Sequence, residues 1–150
     1  MYKRQGDTRV NDYGLANAVG RISDAIVAVA RLLASDHVTR YRNAKIFVPM
    51  GAAALPFLLG RLKRNHEITP RIADPAKGLA LLYTDSIVHD PRVLRFVVEM
   101  LGADRVMMGS DMPFPIGDGE PAKIVAAAGL KADEVASITG RLAQKLFRIG

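Results

Sequence analysis

The sequence predicts an α/β fold with about three parallel strands and flanking helices. Short apolar runs alternate with segments whose apolar residues recur at helical spacing. Strand–helix–strand–helix order implies parallel strands joined by right-handed crossovers. The runs lack the polar alternation of a one-sided sheet, so burial on both faces is expected, as in an α/β barrel or an open sheet. The chain has 150 residues, 49% of them hydrophobic, enough for one domain with its own core. Residues 1–150 carry no linker that would divide them.

Residues 20–34 place Ile22, Ile26, Val29 and Leu33 on one helical face, with Ser23 or Asp24 as the cap. Lys45–Val48 is the first expected strand, closed by Pro49-Met50-Gly51. A helix follows, with Pro56 in its first turn and Leu58, Leu59 and Leu62 on its apolar face. Asn65–Gly78, with two prolines, is expected to be an irregular connection. Leu81–Ile87 is the second strand. Asp90-Pro91 then caps and opens a helix that buries Leu94, Val97, Val98 and Leu101 and ends at Gly102. Arg105–Gly109 is the third strand, and Met112–Gly119 a loop. Pro121 opens a helix with Ile124, Val125 and Ala128. A last helix from about Ala132 buries Val135, Ile138, Leu142 and Leu146.

Three parallel strands leave two open edges, and an open edge invites pairing. The helix at 20–34 has no strand before it. Both observations lead to the expectation that an N-terminal piece is missing, or that a second chain, such as another copy, completes the sheet.

Composition removes several classes of function. No run approaches the roughly 20 apolar residues of a membrane span. Met1–Asp7 has charges but no following apolar run, so no secretory signal is visible. The absence of cysteine excludes disulfides and thiolate metal sites and suits a cytoplasmic location. The net charge of +6 is scattered. Its densest group, Arg61, Lys63, Arg64 and Arg71, has few interleaved aromatics, so neither a nucleic-acid nor a membrane partner is expected.

Ligands in α/β folds bind at the C-terminal ends of the strands. That rule selects Met50, Asp85 and Asp111 with their neighbours. Asp111 is suited to hold a divalent metal or take a proton from water, and equally to cap its own turn. Asp85 and His89 share a second loop, where His89 is either an acid/base group or an ordinary residue ahead of a helix start. His37 and His66 are taken as surface residues. The three histidines form no metal-binding motif together.

Gly102-Ala103-Asp104-Arg105-Val106-Met107-Met108-Gly109-Ser110-Asp111-Met112-Pro113-Phe114-Pro115 resembles the last-strand signature of the amidohydrolase-related family. That family includes aminocarboxymuconate-semialdehyde decarboxylase and related aromatic-acid decarboxylases. Thr84-Asp85-Ser86 with Leu94-Arg95-Phe96 resembles the segment before that signature. Ala54-Leu55-Pro56-Phe57 with Gly60-Arg61-Leu62 resembles the helix after the sixth strand, and Ile138-Thr139-Gly140 with Ala143 and Leu146 the closing helix.

The resemblance runs from about Gly14 onward. It implies the C-terminal part of a (β/α)8 barrel, incomplete here, with one divalent metal at the mouth and zinc the expected ion. It makes Asp111 the metal-binding aspartate. The family's other ligands, a His-x-His pair and a histidine after the fifth strand, are not in this sequence. By spacing, the latter falls at or just before Met1. The expected activity is that of a hydrolase or decarboxylase for a small carboxylated or cyclic substrate. The 150 residues alone are expected to bind no metal tightly and to be inactive.

Two segments depart from the family pattern. Met50-Gly51-Ala52-Ala53 stands where the family often has His-Gly-Gly-Gly. Met50 cannot move a proton, so it either lines the substrate pocket or fills the core. The two alanines narrow the room for close backbone approach. Arg141-Leu142 replaces a frequent Gly-Asn. The alternatives to an active parent are therefore a ligand-binding paralogue that has lost catalysis, or a half-barrel that assembles with another chain.

Overall fold

The computed structural model describes residues 8–149. Met1–Asp7, on which the reading of the N-terminus rests, lie outside the described residues.

The fold is α/β, and its strands are fewer and shorter than expected. β1 (Thr84–Asp85) pairs in parallel with β2 (Val106–Met107), Thr84 opposite Val106 and Asp85 opposite Met107. Lys45–Val48 contributes one parallel bridge, Phe47 to Tyr83, rather than a strand. Val48 N donates to Tyr83 O at 2.8 Å, and Tyr83 N donates to Ile46 O at 2.9 Å. The spatial order is thus 47, 84–85, 106–107, with every pairing parallel as predicted.

Competing turn bonds shorten the predicted strands. Leu81 N and Leu82 N donate back to Gly78 O and Leu79 O, and Val88 N donates to Ser86 O. Met108 N leaves the sheet to donate to Ile138 O at 2.8 Å. A short apolar run fixes the presence of a strand better than its ends.

α1 (Arg21–Ala34) follows the expected helix closely. It continues from a π-helical segment, Ala16–Gly20, so Ser23 and Asp24 are not its cap. Ser23 Oγ instead donates to Val19 O at 3.0 Å, the back-bond of a serine inside a helix. After α2 (His37–Arg40) the chain reaches the Phe47 bridge.

α3 (Pro49–Ala53) is one helical turn of left-handed sense, and α4 (Leu55–Ile68) leaves it directly. Asn65–Gly78 is not an irregular connection throughout. α4 runs through its first residues, and α5 (Pro75–Leu79) closes it. Asp74 caps α5, its Oδ1 accepting from Ala76 N at 3.0 Å. A Cβ on Gly78 would stand 2.6 Å from Leu33 Cδ2, so glycine there lets α1 and α5 touch.

α6 (Pro91–Leu101) is capped as predicted, Asp90 Oδ1 accepting from Arg92 N at 2.8 Å. α7 (Pro121–Ala127) and α8 (Ala132–Ala136) follow β2. A π-helical segment, Ser137–Arg141, leads into α9 (Leu142–Phe147).

Two apolar cores flank the short sheet. Leu33, Val38, Leu55, Leu79 and Leu82 form one, under α1 and α4. Leu94, Val97, Val106, Val125 and Ile138 form the other, between α6, β2 and α7. Burying each leucine stabilises the fold by roughly 1.5–3 kcal/mol. Between them Tyr83, Met107 and Leu142 pack together, with the Arg105 guanidinium 4.9 Å from the Tyr83 ring centre. These cores hold the three strand ends side by side.

Candidate active site

The three segments that leave the strands meet at one cleft of about 1010 Å³. Met50, His89 and Asp111 line it, one from each segment. Phe57, Phe96 and Phe114 add aromatic surface, and Asn17 and Arg21 reach it from the start of α1. The sequence-predicted residues therefore converge, with the exception of Asp85.

Asp85 is 3% exposed and lies behind the cleft wall. Its Oδ1 accepts from Ile87 N at 3.1 Å and Gly51 N at 3.3 Å. Burial pushes its carboxyl above the usual range. The N–H groups of Ile87, Gly51 and Met50 oppose that rise, and the charge of Asp111 adds to it.

Asp85 belongs to a group of three buried polar residues. Thr84 Oγ1 accepts from Ala52 N at 2.6 Å, and Ser86 Oγ accepts from Gly109 N at 3.2 Å. Thr84-Asp85-Ser86 thus ties the end of β1 to both neighbouring segments, and these side chains are satisfied by the backbone they hold. The roles of Thr84 and Ser86 were missed as single residues. Three consecutive polar side chains inside a buried strand are the signal that could have found them.

Met50 and the four residues after it have φ between 51° and 60°. Left-handed backbone costs roughly 1–2 kcal/mol for each residue other than glycine. Only Gly51 in this run avoids that cost. A Cβ there would also meet Val88 Cγ1 at 2.6 Å. The turn sets Met50 at the cleft and is held in place by Thr84 and Asp85.

Asp111 also has left-handed backbone, φ 56°. Its carbonyl accepts from Phe114 N at 3.1 Å, while Ser110 Oγ accepts from Met112 N at 3.3 Å. Ser110 thus supplies the side-chain cap of the turn, and Asp111 lines the cleft. His89, exposed and with φ 54°, stands at the rim. His37 and His66 lie outside the cleft: Ser35 Oγ hydrogen-bonds to His37 Nδ1, and His66 Nδ1 to Ile72 O.

Among the described residues, no three metal-binding side chains lie together. Asp111 offers one ligand position, and the cleft does not by itself make a metal centre.

The amidohydrolase family matches residues 22–149. The chain belongs to the amidohydrolase family. This amidohydrolase chain is 27% identical over 126 residues to 2-amino-3-carboxymuconate-6-semialdehyde decarboxylase from Dictyostelium discoideum, covering 80% of this chain and 35% of that protein. It is 29% identical over 125 residues to the Caenorhabditis elegans enzyme of the same name, covering 79% and 31%.

Among solved structures it resembles 5-carboxyvanillate decarboxylase from Sphingomonas paucimobilis, with a TM-score of 0.82 at 24% identity over 99% of this chain and 47% of that one. A 5-carboxyvanillate decarboxylase from Novosphingobium aromaticivorans, complexed with manganese and 4-hydroxy-3-methoxy-5-nitrobenzoic acid, gives a TM-score of 0.80 at 22% identity over 94% and 44%. The structural likeness shows a shared fold. The chain spans about a third of the length of the curated relatives and under half of that of these structures.

Proposed function

We propose that the protein containing this chain is a divalent-metal-dependent decarboxylase of a small ring-bearing acid. One observation carries the reading. Asp111, at the end of β2, lines a cleft walled by Phe57, Phe96 and Phe114, in a family whose curated relatives are decarboxylases. Asp111 would be one metal ligand, with the other donors supplied by chain beyond these residues. Manganese is the metal named for a structural relative, and zinc remains the expectation from family resemblance.

These strands would then form one arc of a (β/α)8 barrel, closed by chain beyond these residues or by another chain. We place the protein in the cytoplasm on its lack of cysteine. Among the described residues no helix is long and apolar enough to cross a membrane.

Loss of CO2 breaks the bond from ring carbon to carboxyl carbon and leaves an electron pair that takes up a proton. Met50 has no proton to give, and Asp90 is held by Arg92. Among the described residues that line the cleft, Asp111 and His89 remain able to carry one; with Asp111 ionised as a metal ligand, we assign it to His89.

A second reading is favoured by Met50: a ligand-binding protein of this fold that has lost catalysis.

The test is manganese binding, followed by electron paramagnetic resonance, in protein expressed from the longest reading frame containing these residues. Asp111→Asn should weaken binding about tenfold or more. Unchanged affinity in the variant would remove Asp111 from the site.

A further inference from the structure

Among the described residues two arginines, Arg21 and Arg92, line the cleft, and they differ in their partners. Arg92 donates from Nη2 to Asp90 Oδ2 at 2.7 Å and from Nε to Asp90 Oδ1 at 3.2 Å. That carboxylate neutralises it. Arg21 donates from Nε to the side-chain oxygen of Asn17 at 3.1 Å and lies 5.7 Å from the centre of the Phe114 ring. Both partners are neutral, so the positive charge is retained at the cleft.

Both partners also orient the guanidinium. Asn17 sits one helical turn before Arg21, and Phe114 belongs to the loop that carries Asp111. A planar guanidinium fixed in this way matches a carboxylate through two parallel N–H bonds.

We propose that Arg21 is the carboxylate-recognition residue of this cleft. It pairs with the carboxylate of a ring-bearing monoanion whose ring rests on the Phe57, Phe96 and Phe114 surface. Asp111 lines the same cleft, and Asp85 stands behind it. A carboxylate at Asp111 opposes an anionic ligand, so a cation not already neutralised is needed to admit one. One such cation among the described residues, beside a mostly apolar wall, suits a monoanion better than a phosphate.

The proposal rests on the cleft being the substrate site, as set out under Proposed function, and it can be separated from the reaction. The experiment is calorimetric titration of metal-free protein, expressed from the longest reading frame, with 2-hydroxybenzoate and with 2-hydroxybenzamide, its neutral analogue. Wild type should prefer the acid about tenfold. Arg21→Gln should abolish that preference while amide affinity stays the same, which also shows that the cleft is intact. Arg21→Lys should keep part of the preference, and Arg92→Gln all of it.

An acid preference unchanged in Arg21→Gln overturns the proposal, and so does a wild type with no preference. Acid preference lost in Arg21→Gln, in a protein that decarboxylates nothing, upholds Arg21 and removes the decarboxylase reading alone.

Discussion

Asp85 Oδ1 accepts the backbone N–H of Gly51 at 3.3 Å, so a buried carboxyl on β1 holds the turn that presents Met50 to the cleft. The same oxygen takes Ile87 N at 3.1 Å. One cleft residue is therefore positioned by a residue that does not line the cleft.

Asp85→Ala should leave both N–H groups buried without a partner. The expected loss is about 2–3 kcal/mol of unfolding free energy by urea denaturation. Asp85→Asn keeps an acceptor oxygen and should cost less. Equal losses would show that the acceptor bonds are not what Asp85 contributes.

The raised Asp85 carboxyl also gives stability a pH dependence. Unfolded, the group ionises near 3.8, while burial in the fold delays ionisation to higher pH. Between those values the folded chain binds more protons than the unfolded one. Its stabilising contribution is present below 3.8 and is lost as pH rises through the native value. Urea midpoints measured across that range should fall more steeply in wild type than in Asp85→Asn. Parallel curves would contradict the assignment.

The turn itself gives opposite predictions for two adjacent residue types. Gly51→Ala places a methyl 2.6 Å from Val88 Cγ1 and 3.2 Å from Val97 Cγ2, on backbone of φ 60°. It should destabilise by about 1–3 kcal/mol. Ala54, exposed and with φ 59°, buries no methyl to lose. Ala54→Gly should stabilise by about 1 kcal/mol. Ala52 and Ala53 are fully buried, so relief of backbone strain there is offset by about 0.8 kcal/mol of lost burial. Thermal unfolding of the four variants checks this order.

Much of the architecture was legible in the sequence. Asp90-Pro91 announced α6 through a cap and a first-turn proline, and its spacing gave Leu94, Val97 and Val98 as buried. The same pair at Asp74-Pro75 announces α5, but the mixed polar residues around it suggested a loop. Strand ends were not legible, because the choice between sheet and turn bonds at Leu82 or Met108 depends on distant carbonyls.

At the cleft, the rule that ligands sit at strand ends selected Met50, His89 and Asp111, which line it together. It placed Asp85 with them, although that carboxyl is taken up by backbone. It did not find Arg21 or Asn17, since the apolar face of α1 says nothing about which residues lie at its cleft end. Nor do alanines at 52–54 signal a left-handed turn, because alanine ordinarily favours right-handed backbone.

Met50→His separates the two readings of function. If the protein has lost a proton-transfer group, the substitution should raise turnover of ring acids, by about a hundredfold for a well-placed acid/base. Turnover unchanged by Met50→His, in a protein already active, would show that another group carries the proton.

The most direct measurement of the central claim is CO2 release from 5-carboxyvanillate, 2,6-dihydroxybenzoate and 2-amino-3-carboxymuconate-6-semialdehyde. The protein would be expressed from the longest reading frame containing these residues and assayed with manganese and with zinc. The account predicts metal-dependent release from at least one of these acids, reduced about a hundredfold or more by Asp111→Ala. No release from any of them with either metal, or release that Asp111→Ala leaves intact, would contradict it.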